Sequence, residues 1–88
     1  MHYSRSFDKR LAIDLFIGIP DCKECRAKIE EILRADDDIL GEIYFGYHCN
    51  NFGQPVKVIQ AKEDVTFDLF GYMEKKVEKL RNAGFRVL

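Results

Sequence analysis

Three cysteines and one histidine are the residues of this 88-residue chain best placed to do chemistry. Cys22-Lys-Glu-Cys25 sets two thiols three positions apart, where an alternating apolar stretch gives way to a helical pattern. A C-x-x-C at a helix start lets two sulfurs reach one metal ion or each other, and the positive end of the helix favours the thiolate that both chemistries use. His48 and Cys49 follow at the end of a second apolar stretch. Soft and borderline metals take thiolate and imidazole ligands, and a tetrahedral zinc site uses four of them. Cys22, Cys25, His48 and Cys49 form such a candidate set. Neighbouring strand residues point to opposite faces, so His48 and Cys49 can both ligate only if the strand has already become loop. The plain alternative is structural: Cys25 lies on an apolar helical stripe, and free cysteine is often buried.

The elements that must position these residues follow from periodicity. Residues 1–9 form a polar leader, and one α+β domain spans 10–88. From Arg10 to Gly18, Leu11, Ile13, Leu15 and Ile17 share an aliphatic face, while Ala12, Asp14 and Phe16 share a mixed one. The aliphatic face belongs to the core. A helix begins after Pro20, with Asp21 as cap and Cys22 at its first position, continues through Ile29, Ile32 and Leu33, and stops at Asp36-Asp-Asp38. A second strand is expected over 42–49 and a third over 56–61, joined by the turn formers of 50–55. Leu69, Met73, Val77 and Leu80 then mark a helix over 71–82, which Asp64 caps if it starts earlier. Ala83-Gly84 ends it, and Phe85 to Leu88 is a short last strand. The order βαββαβ is most economically a ferredoxin-like, four-stranded antiparallel sheet with both helices on one face. Reading 65–70 as a strand instead gives βαβββα, a shortened thioredoxin-like unit.

In the first arrangement three connections share one end of the sheet. They bring together Cys22 and Cys25, His48 and Cys49, and Gly84 and Phe85. Ile17-Gly18-Ile-Pro-Asp-Cys22-Lys-Glu-Cys25, with Ile29-Glu30 and with Leu80-Arg-Asn-Ala83-Gly84-Phe85, resembles the heavy-metal-associated domains, small carriers of copper, zinc or cadmium. That resemblance implies Cys22 and Cys25 as a two-thiolate clamp for one zinc or copper ion, with Phe85 shielding it. This chain has one more residue between the glycine and the first cysteine, and Ile19 where that family has methionine.

Bulk properties narrow the classes further. Apolar residues make up 47% of the chain and charged residues 33%, as in a folded domain. A formal net charge of -1 gives no electrostatic case for nucleic acid or an anionic membrane. An odd cysteine count and the lack of an apolar leader point to a reducing, cytoplasmic setting, in which the cysteines are metal ligands, redox groups or core residues rather than structural disulfides. No phosphate-binding glycine loop, G-x-S-x-G or H-E-x-x-H is present. Binding is therefore expected rather than catalysis, with thiol–disulfide exchange as the enzymatic option. The leading expectation is a soft-metal module. The alternative is a protein-interaction module, such as a small adaptor or a phage-type inhibitor, that uses Phe16, Tyr44 and Phe85 to bind a partner or a second copy. Base stacking on the same aromatics, as in RRM domains, lacks the basic surplus it needs.

Overall fold

A computed structural model describes residues 1–6, 8–18, 23–35, 39–46, 53–62 and 68–88. Its elements are β1 (His2–Arg5), β2 (Leu11–Gly18), α1 (Lys23–Arg34), β3 (Leu40–Phe45), β4 (Gln54–Gln60), α2 (Leu69–Asn82) and β5 (Arg86–Val87). From β2 onward the order is βαββαβ and the topology is ferredoxin-like. All strand pairs are antiparallel: β3 lies on β4, β4 on β2, and both β1 and β5 on the outer edge of β2.

β2 alternates as its sequence demands. Ile13, Leu15 and Ile17 are fully buried beneath the helices, against Val56 and Val58 of β4, Ile29 and Leu33 of α1, and Leu69, Met73 and Leu80 of α2. Burying each such aliphatic side chain contributes about 1.5–3 kcal/mol. In β3 one extra residue separates Leu40, opposite Gln60, from Ile43, opposite Val58. This bulge at Gly41 and Glu42 lets Leu40, Ile43 and Phe45 all turn towards the helices. It also explains why β3 begins at Leu40 although simple alternation starts it at Glu42.

The expected polar leader contains a strand, so among the described residues the sheet has five strands, one more than expected. β5 covers only Ile17 and Gly18 of the β2 edge, and β1 takes the vacant stretch, with Tyr3 opposite Ile13 and Arg5 opposite Leu11. The gain comes from ladder hydrogen bonds on an edge, which polar residues satisfy as well as apolar ones. Tyr3 fastens β1 to α2: its ring lies 5.4 Å from that of Phe70, and its hydroxyl accepts the Phe70 N–H at 3.0 Å. The Leu88 N–H donates to Phe16 O at 2.9 Å, so the two chain ends follow one another along the edge of β2.

Both helices end for identifiable reasons. Asp68, rather than Asp64, caps α2 by accepting the Gly71 N–H at 3.0 Å; Asp64 lies outside the described residues. Because Leu69 and Phe70 are helical, the thioredoxin-like alternative is excluded there. At the other end Gly84 takes φ 97°, the Gly84 N–H bonds Arg81 O and the Phe85 N–H bonds Leu80 O, a Schellman closure. α1 is closed by its neighbour: buried Lys76 of α2 donates to Ala35 O while its ammonium sits 5.5 Å from the centre of the Tyr72 ring. The Asp21 cap and Asp36-Asp-Asp38 lie outside the described residues, and α1 itself begins at Lys23. Among the described residues no helix is long and apolar enough to cross a membrane.

Candidate functional site

The C-terminal end of β2, the start of β4 and the start of β5 meet at one end of the sheet, where Ile17 pairs with both Gln54 and Val87, and Gly18 with Arg86. Gly53 makes the approach possible: its φ is 91°, and a Cβ there would stand 2.7 Å from Ile17 O. The first turns of α1 join this end through Arg26, whose guanidinium donates to the side-chain oxygen of Gln54 at 3.4 Å.

Gln54 is fully buried. Its amide nitrogen donates to Gly46 O and, at 3.5 Å, to Pro55 O. One neutral side chain thus ties together α1, the end of β3 and the start of β4. No motif in the sequence marks it. A glutamine beside Pro55, after a run of turn formers, looks like loop, and its role depends on partners 8 and 28 residues away.

Cys25 stands in the first turn of α1, half-buried against the core. It is disulfide-bonded, whereas the sequence favours metal ligands, redox groups or core residues over structural disulfides. The sequence offers Cys22 and Cys49 for that bond. Cys22, His48 and Cys49 lie outside the described residues, so the four-ligand set is described only at Cys25. Among the described residues no three His, Cys, Asp or Glu side chains cluster. The donor chemistry suits a soft ion in one state only: two sulfurs close enough to bond can become two thiolates after reduction, whereas a disulfide offers no anionic ligand. Phe85, expected as a shield or partner contact, is half-buried against the core on the α2–β5 turn.

The sheet face away from the helices carries the two expected aromatics. Phe16 pairs with Pro55, and Tyr44 with Lys57. Together with His2, Asp14 and Gly46 they line a shallow groove of about 530 Å3. Tyr44 is 52% exposed, and Lys57 Nζ lies 3.7 Å from Asp14 Oδ1 across the groove floor.

The far end of the same face is latched by Arg10. Its guanidinium meets Asp8 at 2.5 Å and Glu42 at 3.2 Å, and also donates to Gln60 O and Ala61 O. The β1–β2 turn thereby borders Ile59, which is 3% exposed although it faces away from the helices. The Ser6 hydroxyl, and after it Arg10, hold the Asp8 carboxyl below its ordinary value. The Tyr44 hydroxyl donates to Glu42 at 2.6 Å, and that bond holds the phenol above its ordinary value.

Comparison with protein-family models, with curated proteins and with solved structures finds no match to this chain. No family match supports the resemblance to heavy-metal-associated domains; the structure shares with it the βαββαβ element order.

Proposed function

We propose that this protein is a small, non-enzymatic binding module that holds one soft metal ion, zinc or copper, through the reduced thiolates of Cys22 and Cys25. His48 and Cys49 are the further ligands proposed for a four-coordinate zinc ion. The observation that carries the reading is the disulfide at Cys25 in the first turn of α1. The second sulfur, of Cys22 or Cys49, stands within the reach that a shared metal ion requires, and both belong to the proposed ligand set. Reduction frees both, and the positive end of α1 stabilises the resulting negative charge. When bound, the ion would be held by sulfur and would withdraw the pair from re-oxidation. Native mass spectrometry of the untagged, reduced chain tests this. The expected result is a mass excess of one metal ion, lost in the Cys22→Ser/Cys25→Ser double variant. Reduced protein that stays metal-free when offered zinc or copper(I) overturns the reading.

A second reading is favoured by the exposed Tyr44 beside Phe16 in the open-face groove. Here an extended apolar segment of a protein partner lies across the two rings. Phe16→Ala and Tyr44→Ala would then abolish partner binding, and the cysteine changes would not.

A further inference from the structure

We infer that the redox state of Cys25 controls the shape of the open-face groove, with Gln54 as the connection. The inference rests on the reading of Cys25 as one half of a reversible sulfur pair. Arg26 adjoins Cys25 on α1, so whatever repositions the first turns of the helix also moves the guanidinium that bonds Gln54. Gln54 has no exposed surface, so no bulk water can replace a lost partner. The same amide holds Gly46 O and Pro55 O, and Gly46 and Pro55 are walls of the groove beside Phe16 and Tyr44. There is little slack between those walls. The Gly46 N–H bonds Pro55 O at 2.9 Å, and a Cβ on Gly46 would stand 2.9 Å from Pro55 Cγ. A turned Gln54 amide is therefore transmitted to the groove rather than absorbed.

The redox step balances with a dithiol reductant. Its two thiols supply two electrons and two protons, the Cys25 S–S bond breaks to two thiols, and the reductant closes to its own disulfide. Breaking that bond releases a constraint on the start of α1. With the disulfide closed, Arg26, Gln54 and Gly46 hold one groove shape; with the thiols free, they relax to another.

The test is aromatic-ring NMR of the full chain, oxidised and then reduced with dithiothreitol, with mass spectrometry on the same samples. The expected result is a gain of two hydrogens by mass together with displaced Phe16 and Tyr44 ring resonances. That displacement is lost in Arg26→Ala, which removes the contact to Gln54 at a partly exposed residue outside the apolar core cluster. A gain of two hydrogens with unmoved rings overturns the coupling while the sulfur pair survives. A displacement unchanged in Arg26→Ala overturns the route through Gln54. No gain of hydrogens after oxidation and reduction overturns the sulfur pair itself, and the inference falls with it.

Discussion

The two ends of the sheet are fastened by opposite means. At the Arg10 end a charged group reaches across from the β1–β2 turn to β3, with Asp8 and Glu42 half in solvent. At the Gln54 end a neutral amide with no exposed surface joins α1, β3 and β4. Exposed ion pairs are screened by salt and contribute little, whereas a buried amide contributes little by itself but costs dearly when its partners are left unpaired. One end of the molecule should thus respond to ionic strength and pH. The other should be indifferent to both and respond to the sulfur chemistry of Cys25.

The largest effect is expected at the Gln54 end. Gly53→Ala forces a side chain into φ 91° and against Ile17 O. It should lower stability by about 1–3 kcal/mol in denaturant titration. Gly84→Ala, at φ 97° but with nothing within 4 Å of the new Cβ, should cost less, about 1 kcal/mol. Gln54→Ala should destabilise by about 1–3 kcal/mol, equally at low and high salt, because it strands the Gly46 carbonyl. A strong salt dependence there would break the contrast between the ends.

Smaller effects belong to the Arg10 end. Arg10→Ala should cost about 1 kcal/mol or less at low salt, and the loss should shrink as salt rises in the same titration. Acid should act here first. The folded value of Asp8 is depressed, so its contribution is complete above the ordinary carboxyl value of 3.8 and is lost as pH falls through the folded value. Amide exchange in the Ser6–Arg10 turn should therefore quicken in acid before exchange in β4 does. Asp8→Asn should remove that pH dependence.

What the sequence conveyed divides along the same line. The aliphatic face of β2, the α2 stripe and the Gly84 stop were legible because each signal is local and repeats with the period of its element. Alternation also placed Phe16 and Tyr44 on one face, and both line the groove. β1 was not legible: four residues with one aromatic carry too short a pattern, and the pairing exists only because β5 leaves that edge open. Asp64 and Asp68 are equally good caps by type, and the fold selects the second. Arg10 and Gln54 act through partners up to 51 and 28 residues away, beyond any local pattern. The bond at Cys25 was hidden for another reason: three cysteines and a low net charge do not reveal which sulfurs oxidise together.

The central claim is that Cys25, in the first turn of α1, forms with Cys22 a metal clamp in the reduced protein. X-ray absorption at the metal edge, on the reduced chain loaded with one equivalent of zinc, tests it most directly. The account predicts sulfur scatterers at about 2.3 Å that disappear in Cys22→Ser/Cys25→Ser. A first shell of nitrogen and oxygen alone, unchanged by those substitutions, would contradict it.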